Sequence, residues 1–259
     1  MDLGIKGRKA IVCASSKGLG RGCATALAEA GCEVVINGRD AALLETVADE
    51  IRRATGARIL TVAADVSSEA GRAALVAACP DADILVNNNG GPPGRNFREI
   101  DHAALLKGVE ANMIAPISLI QALIDGMIER KFGRIINITS GSVKGPLPGL
   151  DLSSGARAGL TGFVAGVARE VAGANVTINQ ILPGAFDTDR LREGSQGAAA
   201  RTGKSFDEIW AARAAGIPAK RYGTPAEFGA LCAFLASAQA GYITGQNFLI
   251  DGGAFPGAF

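Results

Sequence analysis

The stretch that decides the fold is Cys13-Ala14-Ser15-Ser16-Lys17-Gly18-Leu19-Gly20, which is polar and glycine-containing. It follows an apolar run at 9–13 and precedes a helix that we expect to begin near Arg21. Gly18 and Gly20 would let backbone N–H groups approach an anion at the N-terminus of that helix, where the helix dipole favours negative charge. The stretch therefore predicts a strand, an anion-binding turn and a helix, although glycine also closes ordinary strand-to-helix turns.

The same alternation continues through the chain. Leu44, Val47 and Ile51 have helical spacing, and Gly31 stands where the first helix should end in a left-handed residue. Seven β-rich runs are separated by such segments: 9–13, 33–36, 58–63, 84–87, 134–139, 176–182 and 247–250. Most of these runs are apolar throughout, which is typical of strands buried on both faces. The predicted fold class is α/β, a doubly wound, Rossmann-like parallel sheet with helices on both faces.

Length and composition indicate one domain over 1–259. The 259 residues are 48% hydrophobic, enough for a large core, and the formal net charge is +1. No basic arm is present that would neutralise nucleic-acid phosphates, so we expect no nucleic-acid partner. The first six residues lack the apolar run of a signal peptide, and no long uncharged apolar segment follows. We therefore expect a cytoplasmic protein without a membrane partner.

The cysteines and the single histidine offer little chemistry. Five cysteines stand alone, none in a C-x-x-C pair, which favours buried, reduced thiols and no metal site. His102 follows Ile100-Asp101 at the expected start of a helix, and any Ser-His or Cys-His pair would depend on it alone.

One long segment stands out as irregular. Between the sixth strand and the next helix, 190–218 carries several glycines, a run of alanines and the only tryptophan, Trp210. A segment of this length without a strand is usually functional or mobile. We expect it to form a substrate lid.

With this loop and this order of elements, the chain resembles the short-chain dehydrogenase/reductase family, in particular members like the 3-oxoacyl-acyl-carrier-protein reductases. Its loop is similar to the family's T-G-x-x-x-G-x-G element, with Cys13 and Ala14 in place of Thr-Gly. Further matching elements follow in order: Asp65-Val66, Asn87-Asn88-Asn89-Gly90, Asn112, Ser140, Asn179, Pro183-Gly184, Thr188, Tyr242-Ile243-Thr244-Gly245-Gln246 and Asp251-Gly252-Gly253. The resemblance implies a dinucleotide whose adenine lies between Asp65 and Val66.

The second strand bears on which dinucleotide is bound. A carboxylate at its end would hold the ribose diol of NAD(H), but the sequence reads Ile36-Asn37-Gly38-Arg39. Lys17 and Arg39 instead supply positive charge where the resemblance places a 2′-phosphate, unless they are merely solvated. NADP(H) is favoured over NAD(H). The implied cofactor residues are Ser15, Ser16, Lys17, Gly18, Leu19, Gly20, Asn37, Arg39, Asp65, Val66, Asn88, Asn89, Gly90, Arg157, Pro183, Gly184 and Thr188.

The resemblance also identifies the catalytic positions, two of which are changed. Family members use a Ser, a Tyr and a Lys in Y-x-x-x-K spacing, and an Asn from the central helix; Ser140 and Asn112 match. Ser153 and Arg157 stand where Tyr and Lys are expected. A serine is a far weaker acid than a phenol, and arginine stays charged, so neither replaces the proton donor simply. Arg157 could still bind ribose hydroxyls or a substrate carboxylate and stabilise an alkoxide.

Lys144 is the nearest titratable alternative. It follows Ser140 on the loop that borders the substrate in this family, and desolvation beside Arg157 would lower the pKa of its ammonium. Exposed loop lysines are more often solvated. Lys144 is therefore a hypothesis for the proton donor.

Three functions are compatible with these residues. The first is an NADP(H)-dependent oxidoreductase acting on a ketone or secondary alcohol with a non-standard proton donor; the alternatives are a non-redox dehydratase or isomerase and a catalytically silent dinucleotide-binding protein. Arg190, Arg192 and Arg201 either attract an acidic substrate or are solvated. The resemblance and the small residues after Ser154 predict a homotetramer or homodimer.

Overall fold

Seven parallel strands form one sheet in the computed structural model, which describes residues 2–257. The strands are β1 (Lys9–Val12), β2 (Glu33–Gly38), β3 (Ile59–Ala63), β4 (Ile84–Asn87), β5 (Gly133–Ile138), β6 (Val176–Pro183) and β7 (Asn247–Ile250). Their order is β3-β2-β1-β4-β5-β6-β7, and every neighbouring pair is parallel. The doubly wound prediction is confirmed. The winding reverses between β1 and β4, which opens a crevice at the carboxyl ends of these strands.

Helices cover both faces of this sheet. They are α1 (Gly18–Glu29), α2 (Ala41–Thr55), α3 (Glu69–Ala78), α4 (His102–Val109), α5 (Ala115–Glu129), α6 (Asp151–Val171), α7 (Asp189–Thr202), α8 (Phe206–Gly216) and α9 (Pro225–Ala236). Neighbouring residues of β1 point to opposite faces of the sheet. On one face, Val12 belongs to a cluster with Leu27 of α1 and Phe228 of α9. On the other face, Ile11 belongs to a cluster with Leu123 of α5. Alternation of this kind explains why the strands are apolar throughout.

Helices α1 and α9 cross at very short range. A Cβ atom added at Gly22 would collide with the carbonyl oxygen of Pro225, and one at Gly229 would collide with the carbonyl oxygen of Gly22. Only glycine allows this approach of backbone to backbone. The crossing fixes α1, and with it the loop at its N-terminus.

The segment 190–218 differs from the prediction of an irregular lid. It is largely helical, because Thr188 caps α7, Gly203 ends it in a left-handed conformation, and Ser205 and Glu208 form a capping box at the start of α8. The segment is thus regular, and its role as a lid stays a prediction.

The helix His102–Glu129 is long and apolar enough to cross a membrane by length and hydropathy alone. It comprises α4, a π-helical turn over Glu110–Ile114, and α5. Leu119, Leu123 and Met127 of α5 are buried in the core against the sheet. The helix is therefore accounted for as a core element of the fold.

The smaller predictions can be compared directly. All five cysteines are buried and free, as predicted, and burial raises the pKa of the Cys13 thiol to about 12. Gly31 has φ +84°, which confirms the left-handed residue after α1. The helix itself begins at Gly18, earlier than Arg21. His102 starts α4 but lies exposed, away from any catalytic pair among the described residues.

Candidate active site

The loop between β1 and α1 has the geometry of an anion-binding turn. Lys17 precedes α1 without capping it through a side-chain hydrogen bond, so the first N–H groups of the helix point into the crevice. A Cβ atom at Gly20 would collide with the carbonyl oxygen of Ala14 and lie 2.8 Å from Asn88 Nδ2. The turn is therefore closed tightly by backbone, and it fits a phosphate.

Ala14 occupies the position where the loop's first glycine is missing, and its backbone is strained. Its φ is +45°, in the left-handed region that costs a residue with a Cβ about 1–2 kcal/mol. We expect Ala14→Gly to raise the free energy of unfolding by up to about 1 kcal/mol, since relief of strain exceeds the entropy gained by the unfolded chain.

Urea unfolding measures this effect, with Ala73→Gly as the control. Ala73 lies in the exposed middle of α3, where the same substitution should lower stability by about 1 kcal/mol. Equal destabilisation by both substitutions would show that Ala14 is not strained.

Three residues predicted to contact a cofactor have side chains that hold the loop in place. Asn37 is only 1% exposed; its Oδ1 accepts from Ala14 N at 3.1 Å, and its Nδ2 donates to Val62 O and Ala64 O at 3.0 Å each. Ser15 Oγ donates to Val12 O at 2.7 Å and accepts from Asn37 N at 2.9 Å. Side chains used in this way cannot also face a ligand.

Asn88 has a similar internal role. Its Nδ2 donates to Ala14 O at 3.1 Å and so joins the end of β4 to the loop after β1. The side chains of Ser15, Asn37 and Asn88 thus support the loop, and the contact of these three residues with a cofactor stays a prediction.

The basic residues predicted beside the 2′-phosphate lie at the surface near this loop. Arg39 is exposed, directly after Gly38, and a Cβ atom on Gly38 would lie 3.0 Å from Ser16 Oγ. Lys17 is exposed and forms an ion pair of 3.7 Å with Asp189. The arrangement leaves Arg39 accessible to an anion from solvent.

The remaining predicted cofactor residues differ in their surroundings. Val66 is buried and Asp65 is exposed, while Thr188 lies 3.4 Å from where a Cβ on Gly18 would stand. Asn89 Nδ2 donates to Ser67 Oγ at 2.8 Å and to Ala111 O at 3.2 Å. Leu19 is partly buried in α1, Gly90 is exposed after Asn89, and Pro183 and Gly184 stand at the end of β6.

Arg157 ties three elements together at the centre of the site. It is 7% exposed; Nε donates to Ser153 Oγ at 3.0 Å, Nη1 to Ile138 O at 2.7 Å and Nη2 to Asn89 O at 3.3 Å. Burial, and secondarily the charge of Arg190, lower the pKa of the guanidinium to about 10, so it remains protonated at neutral pH. Two of its five N–H groups are left for a ligand. Ser153 is buried, and its hydroxyl oxygen accepts the hydrogen bond from Arg157 Nε.

Ser140 stands at the end of a chain of three hydroxyl groups. Ser154 Oγ donates to Ser142 Oγ at 2.9 Å, and Ser142 Oγ donates to Ser140 Oγ at 2.9 Å. The backbone N–H of Ser142 also donates to Ser140 Oγ at 3.1 Å. When the Ser142 hydroxyl is the donor of this pair, Ser140 Oγ accepts both bonds and its own O–H can donate outward.

Asn112 lies where the central helix bulges. Within the π-helical turn its Nδ2 donates to Gly108 O at 3.3 Å. Beside it is a cavity of about 20 Å³, lined also by the polar side chains of Asn87, Asn137 and Arg157, which has room for one water molecule. A bulge at this point is typical of functional helices.

Lys144 does not lie in the environment that its predicted role needs. It follows a 3₁₀ turn over Gly141–Val143, and its side chain is exposed to solvent. The expected desolvation beside Arg157 is therefore absent from this structure, because the loop turns the side chain outward. Its catalytic role rests on the sequence alone.

Comparison with known proteins identifies the family. A family model described as "Enoyl-(Acyl carrier protein) reductase" matches residues 13–254. An acetoacetyl-CoA reductase of Allochromatium vinosum is 35% identical over 254 residues, 96% of this chain and 98% of that protein. The chain belongs to the short-chain dehydrogenase/reductase family. It is thus an oxidoreductase of the short-chain dehydrogenase/reductase type.

Other members of the short-chain dehydrogenase/reductase family match over nearly their full length. A 3-oxoacyl-[acyl-carrier-protein] reductase of Vibrio cholerae is 32% identical, with 98% of this chain and 99% of that protein covered. Among solved structures, L-sorbose reductase from Gluconobacter frateurii, in complex with NADPH and L-sorbose, has a TM-score of 0.94 at 29% identity, covering 99% of this chain and 100% of that one.

Sequence reasoning missed two members of the site in this short-chain dehydrogenase/reductase. Ser142 and Ser154 were not singled out, although Ser142 follows Ser140 closely and Ser154 adjoins Ser153. These two residues matter because their hydroxyl groups form a hydrogen bond with each other. That contact depends on how α6 packs on the loop after β5. The only signal in the sequence is the number of serines near the two positions.

Proposed function

We propose that this protein is an NADP(H)-dependent oxidoreductase that reduces a ketone or oxidises a secondary alcohol without the family's tyrosine and lysine. The observation that carries the proposal is the position of Ser140 at the end of a chain of three serine hydroxyl groups joined by hydrogen bonds. The NADPH named for a related structure, and the acyl-substrate reductases among the relatives, support the cofactor and reaction class.

The cofactor would be held by backbone at one end and by Arg157 at the other. Backbone N–H groups at the start of α1 would bind the pyrophosphate, and Arg39 and Lys17 would bind the 2′-phosphate. The two free N–H groups of Arg157 would bind hydroxyls of the ribose next to the nicotinamide. When bound, NADPH supplies the hydride that turns the carbonyl into an alkoxide.

Ser140 is the group that would protonate this alkoxide. Ser140 O–H gives its proton to the alkoxide oxygen; Ser142 then gives its proton to Ser140, Ser154 to Ser142, and solvent water to Ser154. One solvent proton is consumed, and each serine regains a neutral hydroxyl. A serine alkoxide and a secondary alkoxide have comparable basicity, so this proton transfer is nearly balanced, and the charge of Arg157 would stabilise the anionic stages. Lys144 is the alternative donor.

The cofactor assignment predicts a selective effect of Arg39. Arg39→Gln is expected to weaken NADPH binding by about tenfold or more, since a charge-assisted bond to the 2′-phosphate is lost, and to leave NADH binding unchanged. Fluorescence titration of both nucleotides measures this.

Arg53→Gln is the matched control for that titration. Arg53 is an exposed arginine of α2, so its replacement removes the same charge at a distance from the loop. Equal weakening of NADPH and NADH by Arg39→Gln, or no weakening of either, would contradict the assignment. Failure of both nucleotides to bind the wild-type protein would remove the proposed function.

We further propose that the protein is a homodimer or homotetramer assembled through α4, α5 and α6. Phe163 of α6 is 45% exposed, and the large apolar side chains of Leu105 and Leu106 in α4 and of Ile114 in the π-helical turn are exposed too. Gly155, Gly162 and Gly166 of α6 would meet nothing within 4 Å if they carried a Cβ atom, which leaves room for a second copy of this helix. Apolar exposure of this kind is typical of subunit interfaces.

Phe163→Asp is therefore expected to shift the protein to monomers in size-exclusion chromatography with light scattering. The carboxylate would be buried against the second copy, at a cost that the contact cannot offset. Phe97→Asp is the control, because Phe97 is exposed outside these helices. Retention of the assembly by Phe163→Asp would contradict the interface.

A further inference from the structure

Arg190, near the start of α7, lies over the loop that follows β4. If Gly91 carried a Cβ atom, that atom would lie 2.8 Å from Arg190 Nη2 and 3.0 Å from Nη1. Gly91 comes two residues after Asn89, whose carbonyl oxygen accepts from Arg157 Nη2. The short loop after β4 therefore contacts both guanidinium groups, that of Arg190 at Gly91 and that of Arg157 at Asn89.

The acidic side chains next to Arg190 in the chain are paired with other basic residues. Asp187 accepts two hydrogen bonds from Arg192, both of 2.7 Å, and Asp189 pairs with Lys17 at 3.7 Å. Among residues 2–257, no carboxylate lies within 4.0 Å of the Arg190 guanidinium. Arg190 also makes no side-chain hydrogen bond within that part of the chain.

Arg190 is exposed to solvent near the start of α7. Its charge, after burial, is the second cause of the lowered pKa of Arg157. An oxyanion beside Arg190 would supply the counter-charge that this guanidinium lacks. A guanidinium also matches the planar geometry of a carboxylate with two parallel N–H donors.

We propose that Arg190 binds an oxyanion group of the substrate, so that the substrate is an anionic ketone or hydroxy acid, such as a keto acid. The proposal rests on the reductase function proposed above, and it makes Arg190 the residue that determines specificity. Arg192, two residues away, cannot take this role because it is paired with Asp187 and lies over the Trp210 ring.

A phosphate of the cofactor is the other source of the same chemistry. The N-terminus of α1, Lys17 and Arg39 already provide for the cofactor's phosphates, whereas Arg190 contacts the loop after β4, in which the carbonyl oxygen of Asn89 accepts from Arg157. The substrate is therefore the favoured source of the anion, and the experiment must separate the two.

Binding of matched acids and esters tests the proposal. The probes are pyruvate, acetoacetate and levulinate, each with its methyl ester, titrated in the presence of NADP⁺ and followed by ligand-observed NMR, so that no turnover is needed. Wild-type protein is expected to bind at least one acid about tenfold or more tightly than its ester. Arg190→Gln should remove that preference, Arg190→Lys should retain part of it, and Arg201→Gln, an exposed arginine of the same helix, should retain all of it.

Three other outcomes overturn the proposal, and a fourth removes only the reductase function on which it rests. Acids that bind the wild-type protein no more tightly than their esters would show that no anion site exists. A preference for acids that survives in Arg190→Gln would place that site elsewhere. Loss of NADPH affinity in Arg190→Gln, with acid binding unchanged, would assign Arg190 to the cofactor. Failure of NADPH to bind the wild-type protein, with an Arg190-dependent preference for acids, would remove the reductase function and leave the anion site.

Discussion

Ser140→Ala is expected to lower kcat for ketone reduction by about 100-fold or more, with NADPH affinity unchanged. The hydroxyl of Ser140 is the end of the Ser154–Ser142–Ser140 chain and the group that would meet the forming alkoxide. Its removal deletes both the hydrogen bond to the reacting oxygen and the path of the proton. Steady-state kinetics and nucleotide titration of the same preparation measure the two quantities.

Two further measurements identify the donor. Since no group of the serine chain titrates near neutrality, kcat should be flat from about pH 6 to about pH 9. Lys144→Ala should retain turnover if the serines carry the proton. Near wild-type turnover of Ser140→Ala would exclude the serine chain, and loss of turnover in Lys144→Ala would make Lys144 the donor.

Gly22→Ala is expected to lower the free energy of unfolding by about 3 kcal/mol, at the upper end of overpacking effects. The new methyl group would collide with the backbone carbonyl of Pro225, which cannot rotate away as a side chain would. Helices α1 and α9 must then separate, and the loop at the start of α1 moves with them. NADPH affinity should therefore fall as well.

Urea unfolding of Gly22→Ala and Gly194→Ala provides the comparison. Gly194 lies within α7, and a Cβ atom there meets nothing within 4 Å, so alanine should stabilise the protein by up to about 1 kcal/mol through its helix propensity. A Gly22→Ala protein as stable as the wild type would show that the two helices do not cross as closely as described.

The fold could be predicted because it depends on local patterns. Apolar runs such as 84–87 mark strands buried on both faces, and Gly31 marks the end of α1, so the order of elements follows from the chain. Helices α7 and α8 were missed because their alanines, glycines and charges form no apolar stripe. Their ends were nevertheless readable, since Ser205 and Glu208 have the spacing of a capping box.

The site could be predicted in position but only partly in role. Asn37 was placed correctly at the end of β2, but its side chain reaches the carbonyls of β3, a consequence of strand pairing that the chain order does not reveal. The outward direction of Lys144 depends on the turn before it, and the contact of Ser154 with Ser142 depends on where α6 packs. Residue types identify donors and acceptors, while tertiary packing decides which of them remain free for a ligand.

The most direct test is to follow oxidation of NADPH by the wild-type protein across a panel of ketones and keto acids, beside the Ser153→Tyr/Arg157→Lys double variant. We predict that the wild-type protein oxidises NADPH with at least one member of the panel and yields the corresponding alcohol. The contrary result is a wild-type protein that binds NADPH but does not oxidise it with any member of the panel. It would contradict a reductase that works through Ser140 and Arg157, above all if the double variant reduces one of the same ketones.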